Sequence, residues 1–156
     1  MADQYVRIVL PEAHYTLFDA MRSDLPEVIV VNDALLTFLH LDIFPWHLEI
    51  SIHATHLADQ GMPTPEESAL LFEIGDSIEK AIEGNNALFL ARSTWGGLRQ
   101  LSFRVHDPEQ ANDTLQSILA NKPHTRPWEY RMHADPHWHE AGYFFKLFST
   151  AEGANA

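Results

Sequence analysis

Two adjacent glycines, Gly96-Gly97, stand between two runs rich in apolar residues, about Ala87–Trp95 and Leu98–His106. A two-residue Gly-Gly link suits the tight turn of an antiparallel hairpin, whose central residues need positive φ. With those two as the loop, Trp95 faces Leu98, and the register puts Arg92 opposite Leu101, Leu90 opposite Phe103 and Leu88 opposite Val105. Cross-strand partners share a face. Leu88, Leu90, Leu101, Phe103 and Val105 are therefore expected on one apolar side, with Phe89, Ala91, Gln100, Ser102 and Arg104 on the other. Such a hairpin needs other elements to cover its apolar side.

Those elements are written on either side of it. Residues 46–54, Trp-His-Leu-Glu-Ile-Ser-Ile-His-Ala, alternate strictly and predict a half-buried strand, with Trp46, Leu48, Ile50 and Ile52 inward. Thr64-Pro65-Glu66-Glu67 supplies an N-cap, a proline at the first helical position and a capping-box acid for a helix near 65–83. Asp107-Pro108 opens a second helix near 108–121 in the same way, and residues 128–133 alternate as a fourth strand. Asp135-Pro136 predicts a last helix carrying Trp138, Ala141, Phe145 and Phe148 on one side. Strand, helix, strand, strand, helix, strand is the α+β, ferredoxin-like split βαββαβ order, an antiparallel four-stranded sheet with both helices on one face. Its other face would carry His47, Glu49, Ser51, His53, Gln100, Ser102, Arg104, Glu129, Arg131 and His133, a polar set that can stay open.

The expected organisation is an N-terminal extension over 1–43, packed on or extending a domain over 44–150, and a disordered tail over 151–156. Within the extension Tyr5–Leu10 and Val28–Val31 read as strands, His14–Met21 as helical, and Asn32–Leu41 as helix or strand.

Charge and composition set the function classes. The chain of 156 residues has 22 acids against 10 bases, a formal net charge of −12, and no Cys. Nucleic-acid affinity rests on Lys and Arg neutralising phosphates, and the basic residues form no cluster, so no direct nucleic-acid partner is expected. The longest apolar runs fall far short of the roughly 18 residues that suggest a membrane span, and no basic start followed by a greasy stretch marks a secretion signal. A soluble cytoplasmic protein is the expectation. The imbalance is also local: Asp59 to Asn85 holds seven acids and one base, whereas Asn86 to Val105 holds three arginines and no acid.

Gly61-Met62-Pro63-Thr64-Pro65-Glu66-Glu67, Ile74-Gly75-Asp76 and Ala91-Arg92-Ser93-Thr94-Trp95-Gly96-Gly97-Leu98-Arg99 resemble the bacterial family catalogued as domain of unknown function 695. Asp107-Pro108, Tyr130, Asp135 and Trp138 also fit, so the likeness covers about residues 28–148. The chain departs from the family pattern at Met62, at Gly75, where an acid is usual, and at Ala91, where glycine is usual. The family is distantly similar in fold to the regulator of ribonuclease E activity B. The resemblance implies the fold and brings no catalytic residues with it.

The chemistry the residues allow is modest. There is no Gly-x-Ser-x-Gly elbow, phosphate loop or HExxH sequence. His137 and His139 are two apart, roughly 200° around a helix, so the stretch His133–Glu140 reads as surface histidines, and neither metal nor cofactor is implied. Arg92 lies on the helix-facing side of the hairpin, where an unpaired charge is costly. An ion pair with Asp76 or Glu73 would offset that cost; alternatively Arg92 anchors an anionic ligand at the hairpin's mouth. The expected function is a non-enzymatic binding or regulatory module that contacts a protein partner, homo-oligomers included. The alternative is a small-ligand-binding protein or small enzyme using the open sheet face: His47, Glu49, His53, Arg104, Arg131 and His133.

Overall fold

A computed structural model describes residues 8–82, 84–121 and 123–151. The strands are β1 (Tyr15–Arg22), β2 (Leu25–Asn32), β3 (Trp46–His53), β4 (Ala87–Trp95), β5 (Leu98–Val105) and β6 (Trp128–Ala134). The helices are α1 (Pro65–Ile82), α2 (Pro108–Ala120), α3 (His139–Phe145) and the single turn α4 (Leu147–Thr150), with 3-10 turns at Asp33–Thr37, Leu41–Ile43 and Asp59–Gly61. The fold is α+β, but the sheet is not four-stranded. It has six strands in the order β1-β2-β4-β5-β3-β6, every neighbouring pair antiparallel. The N-terminal segment supplies the two extra strands, and β2 pairs with β4 from Val28↔Thr94 to Val31↔Ala91. A strand that presents unpaired backbone groups is a template for another, and here the chain's own N-terminus takes that edge of β4.

Capping chemistry sets the helix starts. The Glu67 backbone N–H donates to Thr64 Oγ1 at 3.2 Å, and Asp107 accepts from Glu109 N and Gln110 N at 3.0 and 3.3 Å. The last helix departs from expectation. Trp138 is left-handed at φ 57, the helix begins at His139, and Asp135 caps from a distance, its two oxygens accepting from His139 N and Glu140 N at 3.0 Å each.

The hairpin register holds only near the turn. Arg92↔Leu101 through Trp95↔Leu98 pair as expected, but a bulge between Phe89 and Ala91 shifts the rest, giving Phe89↔Phe103 and Ala87↔Val105. One inserted residue exchanges the faces. Phe89 therefore packs with Leu101, Phe103 and Val105 under α1 and α2, while Leu88 and Leu90 join the opposite core. Asn32 donates from Nδ2 to the Phe89 carbonyl at 2.9 Å beside the bulge.

Both faces of the sheet are covered. Leu48, Ile50, Ile52, Leu71, Ile78 and Leu115 lie in the core under α1 and α2; Ile29, Val31, Leu35, Phe44, Leu90 and Trp138 form a second core on the other face. The polar face is thus not open, and His47 and Arg104 are buried at 1 % and 0 % exposure. The N-terminal expectations also change. Residues 15–22 are strand rather than helix, 33–37 is a 3-10 turn, and 8–10 is not strand, Tyr5–Arg7 lying outside the described residues. Beyond Ala151, the tail also lies outside them.

Candidate functional site

Arg104 is the largest fully buried side chain, and it acts as a clamp. Its guanidinium donates to the Phe44 carbonyl from Nη2 at 3.2 Å, to the Asp135 carbonyl at 2.5 Å and to Asp135 Oδ2 at 2.9 Å, and it lies 4.6 Å from the Trp138 ring centroid. Burial alone would raise the Asp135 carboxyl; the N–H groups of Glu140 and His139 and the Arg104 guanidinium outweigh it and hold the carboxyl below its ordinary range. This arrangement joins the segment entering β3 to the segment leaving β6. It leaves Arg104 no free donor face for a ligand.

The other residues of the polar face separate. Glu49 pairs with Arg131 (3.3 Å), His53 with Glu129 (2.7 Å) and His133 with Glu140 (3.5 Å), all at the surface. His47, Glu49, Gln100 and Ser102 of that face line a polar cavity of about 190 Å³ beneath α3, together with Glu27 and Ser93. Inside it Ser93 Oγ donates to Glu27 at 2.5 Å and Arg22 approaches the same carboxylate at 3.6 Å, while Arg22 Nε is buried without a hydrogen-bond partner. Burial, then the positive fields of Arg104 and His133, lowers His47 to about 4, so it is neutral near pH 7. Among the described residues no three His, Asp or Glu side chains converge as a metal site.

A second arrangement lies on the α1 face. Arg92 on β4 and Arg99 on β5 flank Phe72 of α1, their guanidinium carbons 4.5 and 4.6 Å from its ring centroid. They border a pocket of about 280 Å³ that continues past Thr94 and Ser68 to Val28, Val30 and Leu17. The two-residue glycine turn holds in place the loop whose Met62 and Pro63 line this pocket. The Gly97 N–H donates to the Gly61 carbonyl at 2.9 Å, and a Cβ on Gly61 (φ +80) would come within 3.2 Å of Gly96 Cα, so only glycine lets the loop carrying Met62 and Pro63 close on the hairpin.

Electrostatically the two arginines differ. Burial lowers Arg92, and the negative fields of Asp76 and Glu79 act against it; Glu73 instead borders a separate groove beside Arg126. Arg99 is 3 % exposed, and burial followed by repulsion from Arg92 brings it down to about 10, still cationic at neutral pH. Its one hydrogen bond among the described residues runs from Nη2 to Ser68 Oγ at 3.2 Å, while Nε and Nη1 are buried without a partner. Among the described residues no carboxylate forms an ion pair with it. Water can accept from such a group but cannot neutralise it, and a buried unpaired cation is strongly unfavourable.

The sequence reading singled out Arg92 but not Arg99. The signal was in the register: Arg99 faces Thr94 and is two residues from Leu101, so it shares the side of Arg92. Among the described residues, no helix is long and apolar enough to cross a membrane. Comparison with curated proteins and with solved structures finds no match to this chain. The family model described as a family of unknown function, DUF695, matches residues 16–147, across all six strands and both long helices. The chain belongs to the DUF695 family.

Proposed function

We propose that the chain is a non-enzymatic binding protein whose α1-face pocket receives the anionic group of a small ligand. The observation that carries this reading is Arg99, a buried guanidinium with two unpartnered N–H groups and no carboxylate, in a protein of net charge −12. With acids in excess, an internal partner is easy to supply; leaving Arg99 without one keeps a positive site available. Pockets of this kind join apolar walls to a few convergent polar groups. Arg92, Thr94 and Ser68 supply the further donors at the same end. In the cavity beneath α3 the guanidinium with an unpartnered nitrogen, Arg22, already lies against the Glu27 carboxylate at 3.6 Å, so its charge is answered within the protein.

Calorimetric titration of the full chain with acetate, octanoate and inorganic phosphate at constant ionic strength tests the reading. At least one anion should bind saturably to the native chain and fail to bind Arg99→Met, whose fold is checked by its melting curve. Absence of binding by all three, or equal binding by Arg99→Met, removes the proposal.

A further inference from the structure

We infer that the ligand is a monocarboxylate with a medium-length apolar tail, its head on Arg99 and Arg92 and its tail lying over β2 and β1; this rests on the anion-binding reading above. The charge of the head follows from the local balance. Arg92 already lies in the fields of Asp76 and Glu79, whereas Arg99 has only Arg92 as a charged neighbour that shifts it. Arg99 has no ion-pair partner among the described residues, and one negative charge answers its own. A dianion would carry its second charge into a strongly acidic protein. A carboxylate also matches the planar fork of a guanidinium, which donates two parallel N–H bonds.

The direction of the tail follows from the sheet register. On the α1 face, Arg92 is opposite Val30, and Val30 is opposite Leu17. Val28 stands beside them, opposite Thr94, which in turn faces Arg99. From the arginines toward β1 the surface thus changes from cationic to aliphatic at Val30 and Leu17 over two strand spacings, roughly 10 Å, the reach of a medium-length acyl chain, with the exposed Asp19 opposite Val28 beside that path. Phe72 forms the near wall and stays 41 % exposed, and Leu17 on the outermost strand stays 60 % exposed. Exposed apolar surface continuous with a charged pocket marks a place where a ligand gains by covering it. The single charged end and the aliphatic path leading from it fit one amphipathic molecule better than a small polar anion.

Titration calorimetry on the full chain with acetate, octanoate, octylamine and inorganic phosphate separates this inference from the reading beneath it. Each buried methylene is worth about fourfold in affinity. Octanoate with half of its six additional methylenes covered should therefore bind about 60-fold tighter than acetate, and octylamine should not bind. Leu17→Gln, at an exposed position that tolerates polarity, should reduce the octanoate advantage several-fold and leave acetate unchanged; Val30→Thr should act in the same direction. Equal binding of acetate and octanoate, or tighter binding of phosphate, overturns the tail or the monoanion and leaves the anion site standing. Octylamine binding as tightly as octanoate, or no anion binding at all, overturns both.

Discussion

Replacing Arg104 by Met keeps most of the side-chain volume and removes the charge that the clamp is built around. Arg104 is 0 % exposed, and its Asp135 partner carboxyl is 8 % exposed. The substitution leaves Asp135 a buried carboxylate with only the His139 and Glu140 N–H groups as donors, and it removes one of the donors to each of the Phe44 and Asp135 carbonyls, which keep those of Trp138. Removing one member of a buried pair costs about 3–5 kcal/mol, most of it the penalty of the charge left behind. That is a large share of the roughly 5–15 kcal/mol by which a domain is stable. In a chain of this size it lowers the melting temperature by about 6–20 °C. Trp138 packs on the guanidinium, so tryptophan fluorescence during urea unfolding reports the loss directly. The double variant Arg104→Met with Asp135→Asn removes the stranded charge and should recover part of the stability. A loss below about 1 kcal/mol in the single variant, or no recovery in the double one, would refute the clamp.

Three further outcomes follow from the geometry. His47 is buried and lowered to about 4, so the unfolded chain binds its proton first. Stability is fully present above about pH 6.5 and declines as pH falls toward 4, by about 3 kcal/mol at most; thermal melts of His47→Gln should show a flatter slope in that window. Glu67 is lowered to about 2 by its hydrogen bonds to Arg126 (2.6 and 2.7 Å), with the Thr55 N–H adding to the effect. Its contribution is present above about pH 4.5 and lost as pH falls toward 2, and Glu67→Gln should remove that acid limb while lowering stability at neutral pH. Gly61→Ala places an alanine at φ +80 with its Cβ 3.2 Å from Gly96 Cα and should cost about 1–3 kcal/mol in chemical unfolding. An unchanged midpoint would mean the loop does not need to lie against the hairpin turn.

Much of the fold from residue 46 onward is readable because period, caps and turn residues agree. The alternation of 46–54, the Thr64-Pro65 and Asp107-Pro108 starts and the Gly96-Gly97 turn each carry a local physical cause. The N-terminal hairpin carried no such sign. Its turn is Ser23-Asp24, both at positive φ, without the usual glycine, and β1 has apolar side chains on both faces, Phe18 and Ala20 on one and Leu17 and Met21 on the other. The strict period of a half-buried strand is therefore missing. The bulge before Ala91 is a property of packing and of the Asn32 hydrogen bond across to β2, which local pattern cannot show. The same limit hid the site. Face parity places Arg99 beside Arg92, but only the packing of α1 and Phe72 shows that it is buried without an acid. Arg104, read as a ligand residue on an open face, became a clamp once the segments on either side of it folded over that face.

On the proposed reading Arg99 is kept cationic and unpaired for a ligand at the expense of the empty protein's stability. Chemical unfolding of ligand-free native chain and Arg99→Met tests it most directly. Replacing an uncompensated buried charge by an apolar side chain of similar volume is favourable, so Arg99→Met should unfold at a higher urea concentration than the native chain. Saturating octanoate should raise the midpoint of the native chain alone. An Arg99→Met variant that unfolds earlier than the native chain, with both midpoints unmoved by octanoate, would rule out a ligand site at Arg99.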